Sequence, residues 1–120
     1  MAWETQLDDS FTGEFKKFPN DIQDEILAHA KLLQQFGPTL SRPYVDTLKG
    51  SAFANMKELR FGAKGGVWRV AFAFDPLRKA ILFCAGNKVG KDQKKFYKKL
   101  IALADQRFTD HWDRLKQNRG

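Results

Sequence analysis

Met56-Lys-Glu-Leu-Arg-Phe61, Gly62-Ala-Lys-Gly-Gly66 and Val67-Trp-Arg-Val-Ala-Phe-Ala-Phe74 are three consecutive segments that together predict a β-hairpin. The outer two alternate apolar and polar residues with the period of two that is typical of strands. The glycine-rich segment between them predicts the connecting loop. A slip by one residue turns every side chain of a strand over, so only one family of registers places the bulky apolar residues of both strands on one face.

That register places Arg60 opposite, or nearly opposite, Arg69 on the other face of the hairpin. Like charges directly across a pair of strands are destabilising, so we expect an anion to bind between them. The alternative is that both arginines are solvated surface residues. The small side chains of Ala71 and Ala73 on the same face predict room for a ligand beside the arginines.

The rest of the chain predicts a single α+β domain over residues 1–120, with the order β-α-α-β-β-β-α and a small, mainly antiparallel sheet. Two N-terminal helices are expected to cover the apolar face of the hairpin, and residues 38–55 are expected to form a loop. The predicted elements outside the hairpin are a strand at Trp3–Leu7, a short helix capped by Ser10, a helix at Ile22–Phe36, a strand at Ala80–Ala85 and a long C-terminal helix from Lys91 or Asp92.

Composition and charge narrow the classes of partner. The net charge is +7, with ten basic against three acidic residues in residues 31–90 and two against seven in residues 1–30. Such a charge favours a polyanionic partner, either nucleic acid or an acidic protein, although it also serves solubility. One cysteine, Cys84, excludes an internal disulfide. Neither a signal-peptide pattern nor a membrane-length apolar run is present, so we expect a cytoplasmic protein without membrane contact.

The residues that can carry chemistry point to RNA cleavage. His29 and His111 lie far apart on different predicted helices and one cysteine cannot complete a zinc site, so we expect no metal or cofactor. The remaining candidate catalytic residues suit phosphodiester cleavage, in which RNA supplies its own 2′-hydroxyl nucleophile and the protein moves protons and stabilises negative charge. These candidates are Glu58, Arg60, Arg69, Lys88 and Tyr97.

Several roles stay open at this point. Glu58 is either a proton carrier or a counter-ion for the arginines, and Tyr97 has the helical spacing of a core residue as well as a site residue. The lysines of the C-terminal helix, Lys94, Lys95, Lys98 and Lys99, are predicted to attract RNA as a basic face rather than to catalyse. The predicted RNA-binding residues are Lys57, Lys64, Lys91, Lys94, Lys95 and Lys98.

Four segments of the chain resemble the RelE/HigB toxins of type II toxin–antitoxin systems, in particular their phage-derived HigB-like branch. They are Lys57-Glu-Leu-Arg60, Val67-Trp-Arg-Val-Ala-Phe-Ala-Phe-Asp75, Ile81–Lys88 and Phe96-Tyr97-Lys-Lys-Leu100. By position, Arg60 and Arg69 match the basic strand residues of the family's active face. Lys88 lies near its basic residue after the last strand, and Tyr97 matches its C-terminal aromatic residue. Glu58 is a departure, because some members carry lysine there.

The resemblance implies a compact RelE-like fold and an endoribonuclease that cleaves mRNA, usually on the ribosome, without a metal and so inhibits translation and growth. It also implies a cognate antitoxin, often a helix-turn-helix protein, through which alone the toxin would reach operator DNA. Two alternatives are a non-catalytic basic module of phage origin that binds nucleic acid or protein, and a phage-borne regulator that inhibits a host factor by surface contact.

Overall fold

A five-stranded sheet with helices on both faces organises the chain in the computed structural model, which describes residues 3–63, 65–88, 90 and 92–118. The strands lie in the order β1-β5-β4-β3-β2, and β1 is parallel to β5 while the other pairs are antiparallel. The predicted α+β class is confirmed. The elements are β1 (Glu4–Leu7), α1 (Asp9–Lys16), α2 (Asn20–Phe36), a 3-10 turn (Gly37–Thr39), β2 (Val45–Thr47), β3 (Lys57–Ala63), β4 (Gly66–Phe74), β5 (Lys79–Asn87) and α3 (Gln93–Asn118).

The register of the β3–β4 hairpin is the predicted one. Arg60 lies directly opposite Arg69, and the two neighbouring pairs bring the bulky apolar residues together on the other face. The strands run further than predicted, to Ala63 and from Gly66, so the connection is tighter than the expected loop. The apolar pattern alone therefore suffices to align the two arginines.

Each face of the sheet has its own core. Helices α1 and α2 cover the face that carries Leu59, Val70 and Phe72, as predicted. Helix α3 covers the other face, where Ala71 and Ala73 are completely buried. The expectation that these alanines leave room for a ligand is therefore wrong, because the space above them is filled by the helix.

A β-bulge in β5 connects the sheet to the helices. Ala71 is paired with Cys84 and Phe72 with Leu82, so Phe83 is the extra residue of the bulge. Its carbonyl oxygen accepts a hydrogen bond from Arg107 Nη1 of α3 at 2.7 Å. The same guanidinium donates to both carboxylate oxygens of Glu14 in α1. Arg107 thus satisfies a carbonyl at the bulge and joins α1 to α3.

Two local expectations are wrong. The predicted loop at residues 38–55 contains the edge strand β2, which pairs with Lys57–Leu59 of β3. Its sequence, Val45-Asp-Thr47, is too short and polar to show a strand period, so pairing with β3 forms it. The cap of α1 is Asp8 rather than Ser10, because the Asp8 carboxylate accepts a hydrogen bond from the Ser10 backbone amide at 3.0 Å.

Gly37→Ala is expected to destabilise the fold by about 2–3 kcal/mol, because the residue has a positive φ and adjoins an aromatic ring. Gly37 ends α2 with φ of 56°, and a Cβ there would lie 2.3 Å from Trp3 Nε1. Gly13 of α1 is the matched control, since a Cβ there meets nothing within 4 Å. Gly13→Ala should stabilise by about 0.5–1 kcal/mol. Urea unfolding measures both, and equal effects of the two substitutions would contradict the expectation.

Candidate functional site

The two arginines share a carboxylate. Glu58 lies on β3 two residues before Arg60, so both side chains are on the same face as Arg69 of β4. Glu58 Oε1 is 3.6 Å from Arg60 Nε and 4.0 Å from Arg69 Nε. Glu58 and Arg69 are buried, whereas 39% of the Arg60 side chain is exposed. Glu58 thus offsets part of the repulsion between the arginines.

Helix α3 brings Tyr97 to the same point. The Tyr97 hydroxyl donates a hydrogen bond to Glu58 Oε1 at 3.2 Å, and the Arg69 guanidinium lies 5.6 Å from the centre of the tyrosine ring. Phe96 beside it turns into the core instead, where a Cβ on Gly86 would be 2.9 Å from its ring. Tyr97 packs at the border of the α3 core and also reaches the site, so it combines both predicted placements.

Arg69 has hydrogen-bonding capacity left over. Its Nη1 donates to the carbonyl oxygen of Val67 at 3.1 Å. Its Nε is buried and has no hydrogen-bond partner among the described residues, since Glu58 is beyond hydrogen-bond distance. A buried donor without an acceptor is costly, and a phosphate oxygen is a strong acceptor for a guanidinium.

Burial changes the acid–base behaviour of two groups. It raises the pKa of the Glu58 carboxyl above its ordinary value of 4.5, against the opposing effects of the Tyr97 hydrogen bond and the two arginines. Burial also raises the pKa of the Tyr97 hydroxyl, and the negative charge of Glu58 adds to this shift. The hydroxyl therefore stays protonated at neutral pH, whereas the carboxyl moves towards the range in which a group can both accept and release a proton.

An open groove of about 450 Å³ leads from solvent to these groups, which line its wall. We call it the site groove. Lys88 lines it and donates from Nζ to Gln93 Oε1 at 3.2 Å. Lys49 and Asp46 also line it, and neither was predicted, because both belong to a segment without periodic signal. The residues that line the site groove are Asp46, Thr47, Leu48, Lys49, Glu58, Arg60, Arg69, Lys88, Gln93, Lys94 and Tyr97.

The predicted RNA-binding lysines do not all lie at the site groove. Lys94 lines it, and Lys98 is exposed one helical turn further along α3. Lys57 is on the opposite face of the sheet in a separate cleft with Pro38 and Leu40. Lys95 lines another cleft, on a different flank of α3. Lys64 and Lys91 lie outside the described residues.

The other titratable groups have structural surroundings. His111 Nε2 lies 3.0 Å from Asp75 Oδ2 in the interior, and His29 Nδ1 lies 2.8 Å from the Glu25 carbonyl oxygen. Burial raises the pKa of the Cys84 thiol to about 12, so it is not a nucleophile at neutral pH. Within residues 3–63, 65–88, 90 and 92–118, no three His, Cys, Asp or Glu side chains cluster as metal ligands would. The described helices include none with the length and apolarity of a membrane span.

Comparison with known proteins gives matches in both sequence and fold. The model of the family "Phage derived protein Gp49-like" matches residues 13–109. Two putative toxins of Mycobacterium tuberculosis are each 45% identical to the chain: HigB2 over 87 residues and HigB3 over 92 residues. The matched part is 72% of this chain and 43% of HigB2, and 77% of this chain and 77% of HigB3. The chain thus spans less than half the length of HigB2.

Two solved structures share the fold at low sequence identity. A mutant of the Escherichia coli toxin RelE in the free state has a TM-score of 0.58 at 10% identity, over 85% of this chain and 96% of RelE. The toxin–antitoxin complex RelBE2 of M. tuberculosis has a TM-score of 0.56 at 12% identity, over 72% of this chain and 99% of the matched chain. The resemblance predicted from the sequence is confirmed: the chain belongs to the phage-derived Gp49-like family of HigB-type proteins with the RelE fold.

Proposed function

We propose that the protein is the toxin of a type II toxin–antitoxin module and that it cleaves mRNA in the site groove. The observation that carries the proposal is the meeting of Arg60, Arg69, Glu58 and Tyr97 from three elements in the wall of one open groove. Two permanent positive charges and two proton carriers are what the cleavage of an RNA phosphodiester needs.

The arginines would hold the scissile phosphate. Arginine is always protonated, and its planar donors match the oxygens of a phosphate. Arg69 lines the site groove, and the partly exposed Arg60 can turn to the same phosphate from the rim. Negative charge grows on the non-bridging oxygens as the nucleophile adds, so these contacts strengthen in the transition state. Lys88 and Lys94 on the rim would bind the flanking phosphates.

Glu58 and Tyr97 would carry the protons. The Glu58 carboxylate takes the proton of the 2′-hydroxyl, whose oxygen attacks phosphorus and forms a 2′,3′-cyclic phosphate. The bond from phosphorus to the 5′ oxygen breaks, and that oxygen takes the proton of the Tyr97 hydroxyl. The 3.2 Å hydrogen bond between Tyr97 and Glu58 then returns the proton to the tyrosine, which restores both groups. No metal takes part in this scheme.

The partners follow from the same proposal. An RNA that is presented in a single-stranded form, as in the decoding site of a ribosome, can enter an open groove. A cognate antitoxin, which we propose to be a helix-turn-helix protein, would neutralise the toxin and would be its link to operator DNA. The matched RelBE2 structure is a toxin–antitoxin complex, which supports such a partner. The second candidate function is a non-catalytic basic module, and the net charge of +7 favours it.

Glu58→Gln tests the proposal through the pH dependence of cleavage. In ribosomes programmed with mRNA, we expect the wild-type rate to rise as pH passes the raised pKa of Glu58, because the carboxylate is the base. Glu58→Gln should lower the rate by about 100- to 10,000-fold and remove that rise. Tyr97→Phe, which lacks the acid, should be slow but keep the rise with pH. Primer extension measures the cut ends.

The outcomes separate the two candidate functions. Absence of cut ends with the wild-type protein, together with salt-sensitive RNA binding, would favour the binding module. If Glu58→Gln cleaves at the wild-type rate, Glu58 is a counter-ion and not the base.

Unfolding gives an independent check on the pKa of Glu58. A carboxyl whose pKa is raised in the folded state contributes most stability below its unfolded pKa, and this is lost as pH rises through the folded value. The stability of Glu58→Gln relative to wild type should therefore increase with pH.

A further inference from the structure

A second cleft lies beside the site groove, at the edge of the sheet. Strand β2 covers β3 along Lys57–Leu59, and beyond Leu59 no described strand continues on that side. The open edge of β3 forms one wall of a cleft of about 810 Å³, larger than the site groove. We call it the edge cleft. The residues that line it include Glu25, His29, Arg42, Tyr44, Arg60 and Phe61.

The edge cleft has an aromatic lining. The His29 ring stacks on that of Phe61 with ring centroids 5.1 Å apart. The centroids of the His29 and Tyr44 rings are 6.1 Å apart. Tyr44 is 42% exposed, although a large aromatic side chain usually gains from burial. An exposed aromatic ring, here with the His29 ring beside it, is a platform on which single-stranded nucleic acids stack their bases.

Arg60 joins the edge cleft to the site groove, because it lines both. Its backbone amide donates to the carbonyl oxygen of Tyr44 at 2.8 Å, which fixes the tyrosine next to the arginine. Arg42 on the far side is held by Asp46 at 3.0 Å. An RNA strand whose phosphate binds Arg60 can therefore pass from the groove to the cleft at this residue, and the cleft itself balances Arg42 and Arg60 against Glu25 and Asp46.

We propose that the edge cleft binds the base of a nucleotide next to the scissile phosphate, stacked on Tyr44, with Arg60 on the phosphate between the two sites. Glu25 lines the same cleft with its side chain 46% exposed, and its Oε2 lies 3.8 Å from His29 Nδ1. A carboxylate accepts hydrogen bonds, so the cleft should favour a base with an exocyclic amino group over uracil. This inference rests on the proposed function and adds a specificity subsite to it.

Removal of single bases from a short RNA tests the inference. The probe is a single-stranded oligonucleotide with a 2′-deoxy sugar at its cleavage site, so that it binds without being cut. For the wild-type protein, an abasic nucleotide at one position beside that site should weaken binding by about 5- to 150-fold in fluorescence anisotropy. Tyr44→Ala should weaken binding of the intact RNA equally and show no further loss with the abasic RNA. Tyr44→Phe should behave as wild type.

Phe36→Ala provides the matched control, because Phe36 is 46% exposed but lies at the end of α2 outside both sites. It should bind every probe like the wild type.

The same abasic penalty in Tyr44→Ala as in wild type would overturn the inference. A uniform loss of binding at every abasic position would overturn it too. If Arg69→Ala still slows cleavage of ribosome-bound mRNA by about 100- to 1000-fold in that case, the proposed function stands without the subsite. Weakened antitoxin neutralisation by Tyr44→Ala with unchanged RNA binding would also overturn it, in favour of a protein-binding cleft.

Discussion

Arg69→Ala is expected to lower the rate of mRNA cleavage by about 100- to 1000-fold, the usual cost of removing one preorganised donor from a developing negative charge. Arg69 is buried, and its Nε has no hydrogen-bond partner among the described residues, so its donors are already in place before substrate binds. The exposed Arg60 must still be ordered on binding, so its loss should cost less. Single-turnover cleavage of ribosome-bound mRNA measures both variants.

Two controls make the Arg69 result interpretable. Lys31→Ala removes the same unit of charge from the exposed surface of α2 and should cleave like the wild type. Arg69→Ala also leaves the buried Glu58 with one cation fewer, which destabilises the fold, so urea unfolding must accompany the kinetics. Arg69→Lys keeps that charge but loses the planar fork, and it should fold well yet cleave slowly. A folded Arg69→Ala that cleaves at the wild-type rate would exclude Arg69 from the reaction.

Phe108→Ala is expected to cost about 3–5 kcal/mol of unfolding free energy, the largest stability effect that we predict. Phe108 is completely buried at the centre of the α3 core. Its ring centroid lies 4.7 Å from that of Phe53, 5.1 Å from that of Phe83 and 6.0 Å from that of Trp112. Truncation would leave a cavity between the bulge of β5, the loop before β3 and α3.

Leu103→Ala is the control on the same helix, because Leu103 is 40% exposed and should change stability by no more than about 0.5 kcal/mol. Urea unfolding measures both substitutions. A Phe108→Ala loss as small as that of Leu103→Ala would mean that α3 is not anchored through this core. Where Phe108→Ala remains folded, its cleavage rate should stay near the wild-type rate, since it lies three helical turns from Tyr97.

The sequence predicts the register of the hairpin and the buried face of α2 correctly. The alternation in β3 and β4 places Arg60 opposite Arg69, and the helical spacing of α2 identifies its buried residues Ile22, Ile26, Ala30 and Leu33. It does not predict β2, whose three residues become a strand by pairing with β3. It also predicts space for a ligand at Ala71 and Ala73, where α3 packs instead, because two-residue alternation identifies a face but not the element that covers it.

The site likewise contains residues that the sequence predicts and residues that only the packing of distant segments brings together. Charge and residue type select Glu58, Arg60, Arg69 and Lys88 as candidates, and their strand positions bring the first three together. They do not establish that Tyr97, 39 residues after Glu58, donates to its carboxylate, nor that Lys49 and Asp46 line the groove. Both facts depend on how α3 and the segment before β3 pack on the sheet.

The sequence by itself determined that two arginines face each other on a hairpin, because side-chain direction in a strand follows from a period of two residues. Only the tertiary structure decided what lies between and beside them. The buried Glu58 carboxylate, the Tyr97 hydroxyl and the edge cleft arise where α3 crosses the sheet and β2 stops short of the end of β3. Such contacts join residues far apart in the chain, and the local pattern around either residue carries no information about the other.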